Sequence, residues 1–210
     1  MMKKMVSLLL ALTMVVSLAA CGGKSPETPK TAELCRGTVE DNTYTSEFLH
    51  VTLTLDDSWQ IADDEAMAEL SGLVADSFSD ESVKNQLEKG GVVYDLYAMR
   101  SDGASLNIAI QKLGLANGAM MTEDAFAEAN MKQLPDVLAS SSIKVTDIQK
   151  STFQFAGTEH VSLILTGSVQ DVPLYETMVI VKTGSYVSLI TAATFQNDGT
   201  ADLLNLFQAR

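Results

Sequence analysis

His50 and His160 are the only two histidines in the 210-residue chain, and histidine is the side chain whose ordinary pKa best suits general-base work near neutral pH. A serine or cysteine nucleophile needs such a base within hydrogen-bond reach, itself oriented by a third group. Neither histidine lies in an H-E-x-x-H metal motif, and no G-x-S-x-G turn is present to expose a serine. His50 alternates with Leu49 and Val51 on the side of Thr52 and Thr54, and His160 on that of Ser162 and Ile164. Both therefore read as polar-face strand residues. The densest carboxylate set is Asp56, Asp57, Asp63, Asp64 and Glu65. Calcium takes about six or more oxygens, but the spacing is not the D-x-D-x-D-G loop, and Asp63 to Glu65 have a second use at a helix start. Two Cys and two His are too few for a Cys/His zinc site. The residues lead us to expect no metal, no cofactor and no catalytic group, and hence a protein that is not an enzyme.

Charge narrows the partners. Lys and Arg number 14 against 27 Asp and Glu, a formal charge of −13, which argues against a binder of phosphate backbones. With 46% apolar residues the chain can build a core and is not intrinsically disordered. Residues 56 to 88 hold ten acids and one base, Lys84, so much of the surplus lies in one segment. Solubility asks for less than this of a single helical face.

Lys3 and Lys4 precede an apolar run from Met5 to Ala20, the pattern of a secretory leader and too short for a comfortable membrane span. Leu18, Ala19, Ala20 and Cys21, followed by Gly22 and Gly23, resemble the lipobox of bacterial lipoproteins. The resemblance implies that residues 1–20 are a signal peptide cut before Cys21, with Leu18, Ala19 and Ala20 read by the peptidase. It also implies that the Cys21 thiol carries a diacylglycerol. Acyl chains at Cys21 would hold the mature protein to the extracytoplasmic face of a bacterial cell membrane. Residues 21–37, with Pro26 and Pro29 among small polar residues, read as a flexible tether. Cys35 at its end reads as an unreactive thiol. Gly23, Lys24 and Ser25 imitate the end of a P-loop, but Leu18 stands where the loop needs its first Gly.

Residues 38–210 read as one domain. Leu49, Val51, Leu53 and Leu55 alternate with polar residues as a half-buried strand, with a partner near Thr38 to Tyr44. Asp63 caps a helix whose apolar face holds Met67, Leu70, Val74 and Phe78, and Val83 and Leu87 extend it to Gly90 and Gly91. Val92 to Arg100 and Ala104 to Leu113 are strands joined at Ser101, Asp102 and Gly103. Thr122 caps a second helix, with Met121 and Phe126 as a staple and Pro135 ending or kinking it near Leu134. Four strands follow, Ile143 to Phe155, Glu159 to Val169, Leu174 to Lys182 and Tyr186 to Phe195, then a final helix burying Leu203, Leu206 and Phe207. The fold class is α+β: an antiparallel sheet of about six to eight strands with helices packed on it.

This order of elements resembles the PsbP-like fold, an α/β/α sandwich found in an extrinsic photosystem II protein and in many bacterial lipoproteins. The residues that carry the resemblance are Tyr44, Phe48 to Leu55 and Trp59, then Gly157, and Gly184 with Tyr186. Asp56 and Asp57 stand where that family usually has Pro before the Trp. The resemblance implies a binding or assembly module.

Two functional expectations follow. One is a non-catalytic module whose acidic surface, at Asp56, Asp57, Asp63, Asp64, Glu65 and Glu69, meets a basic protein partner; its competitor is a merely solvated face. The other is a small-ligand or enzymatic pocket near Trp59, the single Trp, which otherwise serves as a packing anchor. Met120, Met121 and Met131 read as core at helical spacing, or as an adaptable contact surface.

Overall fold

The computed structural model describes residues 34–73, 78–114, 118, 120–140 and 142–210. The leader, the lipobox residues Leu18, Ala19, Ala20 and Cys21, and most of the tether lie outside them, as does Val74. The eleven strands among the described residues form two antiparallel sheets. In chain order they are β1 (Thr38–Glu40), β2 (Thr43–Ser46), β3 (Val51–Thr54), β4 (Trp59–Ile61), β5 (Val92–Arg100), β6 (Ser105–Lys112), β7 (Ile143–Phe155), β8 (Thr158–Val169), β9 (Val172–Thr183), β10 (Tyr186–Phe195) and β11 (Phe207–Ala209). The larger sheet runs β4-β5-β6-β10-β9-β8-β7 and the smaller β1-β2-β3-β11. Four helices accompany them: α1 (Asp64–Leu70), α2 (Asp80–Glu88), α3 (Glu123–Ser140) and α4 (Thr200–Leu204). The α+β class expected from the sequence is the one observed.

The turns explain why these strands pair as neighbours. Asp41 and Asn42 both take positive φ, which a two-residue hairpin between β1 and β2 requires. Ala156 with Gly157, and Gln170 with Asp171, serve the β7–β8 and β8–β9 hairpins in the same way. The large sheet is buried on both faces. On one, Leu106, Ile108, Ile190 and Ala192 join Tyr44, Leu53 and Phe207 of the small sheet and Met67, Val83 and Leu87 of α1 and α2. On the other, Leu163, Met178, Ile180 and Leu189 meet Phe126, Ala127, Leu134 and Leu138 of α3. The layer opposite α3 thus holds a sheet as well as helices, and this second sheet was not foreseen.

Three sequence expectations are corrected. The single helix from Asp63 to Gly90 is two helices. α1 stops at Ser71 and Gly72, the latter at φ 68, and α2 starts afresh on its own cap, Ser79, in a reciprocal box with Ser82. Pro135 does not end α3, which runs on to Ser140 because Leu138, one turn further, is fully buried and holds the last turns on the sheet. The final helix is only five residues. Phe207 is buried as expected, but on β11, which pairs with β3, and Leu206 is left exposed. Trp59 begins a short strand, β4, paired with β5 through Arg100. Asp63 and Thr122 do cap α1 and α3, accepting from Ala66 N–H at 2.9 Å and Ala125 N–H at 3.1 Å.

One buried carboxylate joins the two sheets. The β5–β6 register slips between Tyr94 and Leu96, leaving Asp95 as a bulge residue outside the ladder. Its carboxylate accepts the Tyr44 hydroxyl of β2 at 2.6 Å and the Gly37 N–H at 3.0 and 3.1 Å. Position 37 must be glycine here, since a Cβ would sit 2.2 Å from the Tyr44 ring. Burial pushes the Asp95 carboxyl upward and the Tyr44 hydroxyl well upward. Replacing Tyr44 by Phe leaves Asp95 one donor short inside the core, so the Tyr44→Phe variant should lose about 1–3 kcal/mol in urea denaturation with an unchanged m-value.

Candidate functional site

An open groove of about 950 Å³ runs between β1, β4 and α1, lined by Arg36, Glu40, Trp59, Asp63, Asp64 and Met67 among others. A second, of about 580 Å³, shares Arg36, Thr38 and Glu40 with it and continues past Asp41 and Glu47 to Arg210. Trp59 packs in the core and also faces a groove. It is 6% exposed within the core, with the Arg100 guanidinium 5.1 Å from the ring centroid, and it also borders the larger groove.

Arg36 organises the acidic side of that groove. Its guanidinium donates to Asp64 at 2.5 and 3.5 Å and to the Phe78 carbonyl at 3.2 Å, and lies 3.8 Å from the Phe78 ring centroid. Its backbone N–H donates to Asp80 at 2.9 Å. One arginine thus fastens the N-terminal edge of the domain to the starts of both α1 and α2. Carboxylates in a first helical turn are favoured by the helix dipole, which accounts for several acids being placed here.

The six candidate surface residues are all exposed, but the fold treats them differently. Asp56 accepts the backbone N–H of Ser58 at 2.8 Å and also its hydroxyl, and these bonds hold its carboxyl below the usual range. Asp57 accepts from the Asn42 amide at 3.5 Å, Asp63 caps α1, and Asp64 pairs with Arg36. Glu65 and Glu69 have no hydrogen bond or ion pair with a described residue. Only Asp63 and Asp64 of the six line the Trp59 groove. Among the described residues no three His, Cys, Asp or Glu side chains converge as a metal would require.

His50 is not a strand-face residue. It sits before β3 at φ 55, exposed, its carbonyl accepting the Arg210 N–H at 2.9 Å. His160 is tied down instead. Its Nδ1 is 2.9 Å from Glu123 Oε1, which also accepts the Lys182 N–H at 3.0 Å, while Oε2 accepts the Val161 N–H at 3.2 Å. Glu123, the first residue of α3, therefore pins that helix across β8 and β9. Glu123 was not singled out from the sequence, although an acid directly after the Thr122 cap was the available signal. Met121 and Met131 pack against the α3 core, whereas Met120 is 83% exposed. Cys35 is a half-buried free thiol pushed upward by burial and by the charges of Asp80 and Asp95.

No family model and no curated protein sequence matches the chain. Among solved structures it is similar to cyanobacterial PsbP (CyanoP) from Synechocystis sp. PCC 6803, with 13% identity and a TM-score of 0.42 over 92% of this chain and 99% of that one. It is also similar to LpqN of Mycobacterium tuberculosis, described as involved in cell envelope biogenesis, with 11% identity and a TM-score of 0.41 over 75% of this chain and 82% of that one.

Burial opposes ionisation of Glu123, but the His160 and backbone N–H bonds outweigh it and hold the carboxyl below its ordinary value of 4.5. A depressed folded value means stability that is present above pH 4.5 and lost as pH falls through the lower folded value. The Glu123→Gln variant should therefore be less stable at pH 7 by about 1–3 kcal/mol and show a flatter acid limb in pH-dependent urea denaturation.

Proposed function

We propose that the protein is a non-catalytic binding module, tethered through lipid on Cys21 to the extracytoplasmic face of a bacterial membrane, whose acidic face receives a basic protein partner. The observation that carries the partner reading is the set of exposed carboxylates the fold leaves unused. Glu65 and Glu69 on α1 and Glu81 on α2 have no bond to a described residue, and they flank the side of the domain where Asp63 and Asp64 line the groove. Two nearby bases are already engaged, Arg36 with Asp64 and Lys112 with Glu88. Uncompensated charge of one sign on a compact face steers an oppositely charged partner and makes its association salt-dependent.

The tether rests on the resemblance of Leu18 to Cys21 to a lipobox, and no described helix is long and apolar enough to cross a membrane. A second reading, a small ligand seated beside Trp59, is favoured by the groove of about 950 Å³ at that side chain.

One measurement tests the tether and another separates the two readings. Changing Cys21 to Ser should abolish incorporation of labelled palmitate and move the protein from the membrane to the soluble fraction. Co-purification of the anchored protein from membranes should give partners that are lost at high salt and after Glu65, Glu69 and Glu81 are together changed to Lys. Partners that survive both treatments would refute the acidic-face reading, and partners lost only when the Trp59 groove is blocked would favour the second.

A further inference from the structure

The face of the large sheet turned towards α3 is apolar on β8, β9 and β10 except along one polar row. Tyr97, Asn107 and Thr191 stand directly opposite one another on β5, β6 and β10. Glu176 on β9 pairs with Ala193, two residues beyond Thr191, so it lies diagonally next to Thr191 on the same face. It interrupts the apolar run of Leu174, Met178 and Ile180, which packs under α3. Tyr94 pairs with Ala109 on the same side of the sheet, close enough to Glu176 and Tyr97 for their charges to act on its hydroxyl. All five side chains are buried, Glu176 and Thr191 to 1% exposure. The Tyr97 hydroxyl, Asn107 Oδ1, Thr191 Oγ1 and both oxygens of Glu176 have no hydrogen-bond partner. Buried polar atoms are nearly always paired, and five unpaired oxygens in one patch point to a group that the protein does not supply.

The chemistry of the patch selects the group. A carboxylate and an amide oxygen only accept, two hydroxyls can accept, and two tyrosine rings can present their negative faces to a cation. Burial pushes the unpartnered Glu176 carboxyl well upward, so its ionised form calls for a cation lying against it, and a hard metal ion is poorly served by one carboxylate. We infer that Glu176, Thr191, Asn107, Tyr97 and Tyr94 form a binding site for a small primary ammonium compound, with Glu176 as its counter-ion and the three neutral oxygens accepting its N–H bonds. These residues lie inside the domain, apart from the acidic outer face and the Trp59 groove. The assignment does not depend on the partner reading.

The test is isothermal titration of the purified full-length mature protein in detergent with methylammonium, ethylammonium and 1,4-diaminobutane, with tetramethylammonium and potassium as controls. At least one primary ammonium ion should bind saturably and raise the melting temperature, while tetramethylammonium, which lacks N–H donors, binds more weakly. Glu176→Gln keeps the shape and removes the charge, so binding should fall by roughly ten- to hundredfold, and Thr191→Val should weaken it by a smaller factor. No saturable binding by any of the three, equal binding by tetramethylammonium, or undiminished binding by Glu176→Gln overturns the assignment. Should that variant fail to fold, a crystal structure of the unaltered protein with ethylammonium decides. A ligand nitrogen on the Glu176 carboxylate supports the site, and ordered water alone there overturns it.

Discussion

The Asp95 carboxylate ties the two packed sheets together through hydrogen bonds. The small sheet and the N-terminal segment at Gly37 reach the large sheet through many apolar contacts, but the directional connection is made by this one group. A buried carboxylate is tolerated only when its lone pairs are used, and Asp95 uses them on one hydroxyl and one backbone N–H that come from different parts of the chain. The bulge that expels Asp95 from the β5–β6 ladder is what frees it to do so. Irregular backbone and ionisable side chain therefore form a single device: a regular β5 would keep position 95 in the ladder.

The same logic recurs at α3. A long helix laid across antiparallel strands can slide, because apolar packing is weakly directional. Glu123 removes that freedom by accepting backbone N–H groups from β8 and β9 at one end, while Lys150 on β7 contacts Asp124 at 2.7 Å and Glu128 at 3.0 Å. Leu138 anchors the other end, which is why the helix survives Pro135. Against these satisfied carboxylates Glu176 stands apart, more deeply buried and given no protein donor. Stability alone would favour an apolar residue in its place.

How much of this was legible in the sequence depends on the range of the determining interaction. β5 to β10 were readable within two residues at each end because their alternation is long and their turns carry Gly, Asp or Asn at the required positions. The caps at Asp63 and Thr122 were readable because capping involves neighbours three residues apart. β4 and β11 were not, since three-residue strands have no period to detect and exist only because β5 and β3 offer them edges. The split between α1 and α2 was hidden by an apolar face that continues in register across Gly72. Asp95, Glu123 and Glu176 were invisible as sites because their meaning lies in partners, or missing partners, far along the chain. An acid in a strand looks the same in a sequence whether it faces water or the core.

That distinction also alters the reading of the acidic segment. Seen as a sequence, residues 56 to 88 carry a uniform excess of charge. In the fold, Asp56, Asp57, Asp63, Asp64, Asp80 and Glu88 each accept a hydrogen bond or ion pair that shapes a turn, starts a helix or fastens one to its neighbour. Their abundance is largely explained by two helix starts and a tight turn placed close together. The acids without a described partner are fewer: Glu65, Glu69 and Glu81, the first and last of them in first helical turns, on two short helices whose starts both bond Arg36. A partner that recognises this face must read a few fixed carboxylates rather than a diffuse cloud of charge. None of the three has a bond to a described residue, so reversing them probes the proposed recognition while leaving every described contact in place.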